Sequence, residues 1–184
     1  MPCFSPLKGF KDKDTGGITF KRSNAGADMA VPCGQCLGCR HDRVRSWAAR
    51  ITHEAQLHTE NCFVTLTYRD EHQCTEEERK NGLYLPRDGS LVKSHYQNFM
   101  KRLRYHLKGR RVRYYQCGEY GDQTNRPHYH ACLFGLRFPD QQFYSHNNGY
   151  PLFVSQALED LWGYGFATIG ELTNESAGYC SSYV

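Results

Sequence analysis

Two histidines one residue apart, His128 and His130, stand in the run Arg126-Pro127-His128-Tyr129-His130-Ala131-Cys132-Leu133-Phe134. In a β-strand, successive side chains point to opposite faces. A strand here puts both imidazoles on one face, about 6.5–7 Å apart along the chain. Tyr129, Ala131 and Leu133 then form an apolar face that can pack on a core. Neutral imidazole is a common ligand for divalent metals, so the pair can reach one ion between them. Pro127 suits the first position of such a strand. Residues Val112 to Tyr120 read as a second strand, joined to the first through the turn from Gly121 to Asn125. So short a connection makes the two strands antiparallel neighbours and brings Glu119 near the histidines. A carboxylate beside two imidazoles completes a small metal site with positions open to water and phosphate. Two half-exposed histidines and an edge glutamate in a salt bridge would show the same pattern with no metal.

Cysteines form a second group. Cys33, Cys36 and Cys39, spaced Cys-x2-Cys-x2-Cys, lie on a tight glycine-containing turn. Zinc would bind three thiolates there and need one more ligand, for which Cys3 and His41 both qualify. An iron–sulfur cluster is the other chemistry for this spacing, but Arg43 stands where the fourth cysteine of the ferredoxin run would fall. Without metal, the same residues are a turn carrying reduced thiols. At the far end of the chain, Tyr179 and Tyr183 are four apart and share one face of a helix. They are either two aromatics packed on a sheet or two nucleophiles aimed at one site.

The elements that must position these groups follow from composition and periodicity. A chain of 184 residues with 39% hydrophobic and 14% aromatic content suits one folded domain with its own core. No apolar run approaches the roughly 18 residues of a membrane span, and Met1-Pro2-Cys3-Phe4 lacks the pattern of a signal peptide. A cytoplasmic address follows by default. In that setting nine cysteines, an odd count, point to a metal cluster plus buried thiols rather than a disulfide framework. The net charge is only +4, but from Lys93 to Arg113 there are eight bases and no acid. Arg40, Arg43, Arg45 and Arg50 form a second basic cluster. Such patches suit a phosphate backbone, with Arg40, Arg43, Lys101, Arg104, Arg111 and Arg113 as candidate DNA contacts.

Residues 1–31 read as an extended arm or loop with a short strand at Ile18-Thr19-Phe20. Val44, Trp47, Ala48, Ile51 and Ala55 recur at helical spacing over about 39–58. Residues 61–68 alternate as a strand, with Val64, Leu66 and Tyr68 on one face and Phe63, Thr65 and Thr67 on the other. A charged loop over 69–80 and a small strand over 82–86 come next. Ser94 and Gln97 read as a capping box ahead of a helix with the stripe Tyr96, Phe99, Met100, Leu103 and Leu107, ended at Gly109. Residues 137–150 read as a polar and aromatic loop. Ser155 caps a helix that runs to Trp162 and ends at Gly163, residues 165–172 form a strand, and Asn174 caps the tyrosine helix, with Glu175 in its first turn.

His128-Tyr129-His130 after Glu119, the strand Phe63-Val64-Thr65-Leu66-Thr67-Tyr68, and the terminal Tyr-x3-Tyr helix together resemble the three motifs of HUH single-strand endonucleases. The Cys-x2-Cys-x2-Cys-Arg turn, Trp47 and the segment around Trp162 bring the likeness closer to the replication initiation proteins of gokushovirus-type microviruses, small phages with single-stranded circular DNA. The resemblance covers nearly the whole chain. It implies an α+β fold, a central antiparallel ferredoxin-like β-sheet with helices packed on its faces, and the elements read above are compatible with that. It implies a single HUH endonuclease domain over 1–184, with 1–39 an N-terminal arm and cysteine-rich turn. It implies that His128, His130 and Glu119 hold Mg²⁺ or Mn²⁺, and that Tyr179 and Tyr183 are the nucleophiles.

The reaction so implied is metal-dependent nicking and joining of single-stranded DNA through a 5′-phosphotyrosine, which frees a 3′-OH to prime rolling-circle replication. The partners implied are single-stranded DNA at a replication origin and the host replication machinery in the bacterial cytoplasm, with no membrane. Tyr114, Tyr115 and Tyr129 are candidate surfaces for stacked bases. Family members usually carry a lysine three residues after the tyrosine. That position is Ser182 for Tyr179 and lies past Val184 for Tyr183, so the chain is expected to be cut inside or just after this helix. Two other functions remain to be compared. A histidine-triad nucleotide hydrolase would place a third histidine at 132, where the chain has Cys132. A non-catalytic single-stranded nucleic-acid-binding module with a structural zinc would explain the bases, the aromatics and the cysteine turn. It leaves the convergence of Glu119, His128, His130 and the tyrosines unexplained.

Overall fold

The structure, a computed structural model, describes residues 3–121 and 123–183. Met1 and Pro2 of the expected arm, Asp122 of the expected hairpin turn and Val184 at the end of the tyrosine helix lie outside the described residues. The chain divides into two compact units, 1–46 and 47–184, and the division falls within helix α1 (Leu37–Gln56).

In the first unit the expected arm is a small antiparallel sheet. Strands β1 (Leu7–Asp12), β2 (Ile18–Thr19) and β3 (Ala25–Val31) lie in the order β2-β1-β3. Only the strand at Ile18–Thr19 was legible in the sequence. The other two bury almost nothing, so they carry no alternation of apolar and polar residues.

The second unit is built on a six-stranded antiparallel sheet in the order β5-β6-β4-β9-β8-β7. Its strands are β4 (Asn61–Tyr68), β5 (Arg113–Tyr120), β6 (Pro127–Phe134), β7 (Gln142–Asn147), β8 (Tyr150–Val154) and β9 (Gly165–Gly170). Its helices are α2 (Glu76–Lys80), α3 (Lys93–His106), α4 (Gln156–Trp162) and α5 (Asn174–Ser182), together with the end of α1. The run β4-α3-β5-β6-α4-β9 with spatial order β5-β6-β4-β9 is the split βαβ topology of a ferredoxin-like fold. The hairpin β7–β8 extends the sheet beyond β9.

Alternation assigns each face its task. Cys62, Val64, Leu66 and Tyr68 of β4 are buried, as are Tyr129, Ala131 and Leu133 of β6 and Ala167 and Ile169 of β9. They pack with Phe99, Met100 and Leu103 of α3 and with Leu158 and Trp162 of α4. Helix α4 is held at both ends. Ser155 Oγ accepts from the Leu158 amide at 3.1 Å, and Arg102 of α3 donates to the carbonyls of Leu161 and Trp162 at 2.7 Å. Gly163 then turns the chain with φ 71°, a conformation that favours glycine. The opposite face carries Phe63, Thr65 and Thr67, paired across to Cys132, His130 and His128, and is covered in part by α5.

Five local expectations change. Helix α3 begins after Val92, with no side-chain cap, so Ser94 lies inside its first turn. Residues 82–86 are not a strand, and the charged loop over 69–80 contains α2, capped by Thr75 and Glu78. The loop over 137–150 contains β7. Thr173, not Asn174, caps α5, in a reciprocal pair with Ser176. Among the described residues no helix is long and apolar enough to cross a membrane.

Candidate active site

Adjacent strands β5 and β6 place Glu119 directly opposite His128, and Cys117 opposite His130. Direct partners share a face, so one carboxylate and two imidazoles converge beneath α5. His128 Nε2 lies 3.5 Å from Glu119 Oε1 and His130 Nε2 3.2 Å from Glu119 Oε2. The ligand atoms of the three residues all lie within 4.8 Å of one another. The imidazole rings are 4.8 Å apart, closer than their spacing along the strand, because they lean together.

The other ring nitrogens fix how the imidazoles present themselves. His128 Nδ1 is 3.0 Å from the carbonyl oxygen of Arg126, which can only accept, so Nδ1 carries a proton. In the neutral ring Nε2 is then a bare lone pair facing Glu119. The Arg126 carbonyl is itself held in place, since its side chain bonds Asp70 and the Tyr68 carbonyl, each at 2.8 Å. His130 Nδ1 bonds Thr65 Oγ1 at 3.0 Å, directly across the β4–β6 pair. The Phe63 ring stacks on His130 with a centroid distance of 5.3 Å. Burial, with the neighbouring His128 acting the same way, lowers the His130 pKa to about 4, against the opposing pull of Glu119. His130 is therefore neutral at pH 7.

His130 Nε2 and Glu119 Oε2 lie 3.2 Å apart, both buried, without a well-aligned hydrogen bond between them. With Nδ1 donating to Thr65, Nε2 presents a lone pair to the carboxylate oxygen, and the two are acceptors facing each other in a buried site. A cation between them satisfies both, which is why the donor set fits a divalent metal.

Glu119 Oε1 also accepts the hydroxyl of Tyr179 at 2.7 Å. Tyr179 lies on the exposed side of α5, 43% exposed, with its ring 5.2 Å from that of His130. Its pKa is raised, first by desolvation and then by the hydrogen bonds to Tyr183 and Glu119, so the hydroxyl keeps its proton at neutral pH. The Tyr183 hydroxyl lies 3.4 Å from that of Tyr179, one step farther from the carboxylate. An open cleft of about 570 Å³ adjoins the site, with Thr65, His130 and Tyr179 among its lining residues together with Asn148, Tyr150 and Glu171.

The structure thus gathers Glu119, His128, His130, Tyr179 and Tyr183 into one place. It gathers Cys3, Cys33, Cys36 and Cys39 into another, within the first unit. Of the six basic residues, Arg40 and Arg43 belong to the first unit and Lys101, Arg104, Arg111 and Arg113 to the second. All are exposed, and Lys101 and Arg104 lie on α3, on the far side of the sheet from the histidines. Arg113 pairs with Glu54 at 3.0 Å, and Arg43 donates to the Gly34 carbonyl at 2.6 Å. Arg40 lies in the first turn of α1 and Arg111 just before β5. Tyr129 is 4% exposed and is core, so it offers no surface to a base. Tyr114 lies beneath the Arg104 guanidinium, and Tyr115 packs on Trp47.

Three contributors were missed in the sequence. Thr65 had been assigned its face but not its partner. The Arg126 carbonyl has no side-chain signal to read. The β7–β8 hairpin, which walls the cleft, did leave a mark: Asn148-Gly149 is a hairpin dipeptide, and both residues have positive φ, 49° and 85°.

A family model described as "Replication-associated protein ORF2/G2P" matches residues 61–184. The chain is 35% identical over 200 residues to the replication-associated protein ORF2 of Spiroplasma virus 4, covering 100% of this chain and 60% of that protein. It is 34% identical to the replication-associated protein VP4 of Bdellovibrio phage phiMH2K, covering 57% of it. It is 31% identical over 163 residues to the replication-associated protein ORF4 of Chlamydia phage 1. The chain therefore spans about 60% or less of the length of these relatives. No solved structure matches the chain at a significant level.

Proposed function

The chain belongs to the replication-associated protein ORF2/G2P family, and from that premise we propose that its buried carboxylate–imidazole cluster and Tyr179 form the active centre of an endonuclease that nicks and rejoins single-stranded DNA. The observation that carries this reading is the 2.7 Å hydrogen bond from the Tyr179 hydroxyl to Glu119, the carboxylate that also faces both histidines. A tyrosine packed only for stability has no need to aim its hydroxyl at a candidate metal site. The partner is single-stranded DNA at a replication origin, with the host replication machinery using the freed end.

Glu119, His128 and His130 would hold the ion, Mg²⁺ or Mn²⁺, and two imidazoles favour Mn²⁺. A bound ion would supply Lewis-acid polarisation of the scissile phosphate and offset the charge that gathers on it. The chain's own groups do the rest. Glu119 Oε1 holds the Tyr179 hydroxyl at the site and receives its proton as the oxygen attacks phosphorus. The new bond joins the tyrosine oxygen to phosphorus, and the bond from phosphorus to the 3′ oxygen breaks. The leaving oxygen takes a proton from solvent and becomes a free 3′-OH. The phosphotyrosine ester conserves the energy of the broken bond, so a 3′-OH can later reverse the step and rejoin the strand. Tyr179 acts first and Tyr183 second, in the order of their distance from Glu119.

The test is incubation with circular single-stranded DNA of a phage of this type and Mn²⁺, read on a denaturing gel. The reading expects a metal-dependent protein–DNA adduct that is retained in Tyr183→Phe and lost in Tyr179→Phe and His128→Ala. Tight DNA binding without any adduct, in this chain and in a longer form of the protein, sinks the nuclease reading and leaves a binding module.

A further inference from the structure

The four cysteines outside the active centre carry chemistry that the nuclease reading leaves unused. Cys3, Cys33, Cys36 and Cys39 bring their sulfurs within 4.8 Å of one another, and Cys3 Sγ is 3.8 Å from Cys36 Sγ. A regular tetrahedron of thiolates around zinc, with Zn–S of about 2.3 Å, spaces its sulfurs about 3.8 Å apart. A disulfide would need a separation of about 2.05 Å. A polynuclear iron–sulfur cluster places several iron and sulfide atoms between its cysteine sulfurs and holds them farther apart than one ion does. His41, the other sequence candidate for fourth ligand, is not part of the group.

The backbone is arranged around the sulfurs as well. The amide of Cys33 donates to Cys3 Sγ and that of Cys36 to Cys33 Sγ, both at 3.3 Å, and the amide of Phe4 donates to Cys36 Sγ at 3.4 Å. Amide donors aimed at sulfur stabilise the thiolate, the form that binds metal. Gly34 takes φ 76° within the turn, and Arg43 donates to its carbonyl.

The packing of the first unit gives a second, independent reason. Among its described residues only Gly9 and Gly38 are buried, and neither has a side chain. Phe4, Leu7, Ile18, Phe20, Met29 and Leu37 are all 36% exposed or more. A unit of this size with no buried apolar side chain lacks the main force that folds small domains, and such units are commonly held by a metal or disulfides. We propose that Cys3, Cys33, Cys36 and Cys39 bind one zinc ion and that this ion is the staple of residues 3–46. Cys3 is separated from the knuckle by the whole three-stranded sheet, so the ion closes a long loop rather than a local turn. The displaced thiol protons are released on binding, which ties occupancy to pH and to a reduced state of the thiols.

The test uses the full chain carrying His130→Ala, so that the other metal-binding group does not contribute. Native mass spectrometry of reduced protein is expected to find one zinc per chain, with cobalt replacing it to give the visible absorption of tetrahedral thiolate coordination. Cys3→Ser is expected to weaken cobalt binding at least 10-fold. Cys3→His is expected to keep one ion with reduced thiolate absorption, and decides the question alone if Cys3→Ser does not fold. A strong zinc chelator is expected to speed proteolysis within residues 3–31 while 47–184 survives. No bound zinc with no thiolate–cobalt absorption, zinc undiminished in Cys3→Ser, disulfides among these four in the freshly purified protein, or iron in place of zinc would each overturn the proposal.

Discussion

Replacing Thr65 with valine keeps a β-branched side chain of nearly the same volume in β4 and removes one hydroxyl. That hydroxyl is 3.0 Å from His130 Nδ1. With it gone, a proton on Nδ1 has no partner, and the ring gains by moving the proton to Nε2. There the proton faces the Glu119 carboxylate, whose Oε2 is 3.2 Å away. The same nitrogen is the one that would ligate the metal, so the ion must now displace a proton. Removing the hydrogen bond that sets a histidine ligand's tautomer typically costs 10–100-fold in metal affinity, which is about 1.4–2.8 kcal/mol. The assay is a Mn²⁺ titration of Thr65→Val, with the free ion followed by electron paramagnetic resonance and adduct formation measured at each concentration. The half-saturating Mn²⁺ concentration should rise by 10–100-fold, and the rate should return at saturating Mn²⁺. An unchanged Mn²⁺ affinity would refute the tautomer argument. A rate that no Mn²⁺ concentration restores would show that Thr65 acts in some other way.

Glu119→Gln keeps the side chain's shape and gives His130 Nε2 an amide donor in place of an unpaired oxygen; urea denaturation without metal should find it at least as stable as the parent, while Mn²⁺ binding and adduct formation are lost. The His130 pKa of about 4 lies below the ordinary 6.5, so between these values the unfolded chain binds more protons than the folded one. Stability of the metal-free protein should therefore fall as pH drops from 6.5 towards 4, by on the order of 3 kcal/mol from this residue. Urea titrations across that range check it, and His130→Asn should lack this part of the slope. Trp162 is fully buried and donates to the Thr67 carbonyl at 3.0 Å; Trp162→Ala should destabilise the second unit by about 3–5 kcal/mol in denaturant titrations.

The active centre was legible because its parts lie on strands with strict alternation. In β4 every second residue is buried, and β6 presents an apolar set on the opposite face from its histidines. Counting by two therefore placed His128 and His130 together, and a short hairpin brought Glu119 alongside, while Thr65 was given a face but no partner until the β4–β6 register set it against His130. What stayed hidden has physical reasons. The side chains of β7 are nearly all exposed, so burial imposed no period on its sequence. Helix α3 starts earlier than its capping signal because His95 is drawn into the fold: its ring stacks on Tyr164 at 4.1 Å and bonds the Tyr68 hydroxyl at 3.0 Å. That tertiary contact outweighs the modest preference of Ser94 for a cap. The carbonyl of Arg126 has no signature at all, since any residue there supplies one. Lys101 and Arg104 of α3 are exposed, while Arg102 is turned to the carbonyls at the end of α4, and sequence could not say that α3 covers the face away from the histidines.

The most direct measurement is to trap the covalent product, digest protein and DNA, and locate the nucleotide-bearing peptide by mass spectrometry. A nucleotide joined through its 5′ phosphate to Tyr179, formed only with divalent metal and absent in Glu119→Gln, is the predicted result. A link to another residue, a link through a 3′ phosphate, or an adduct that forms without metal would contradict the active centre drawn from Glu119, His128, His130 and Tyr179.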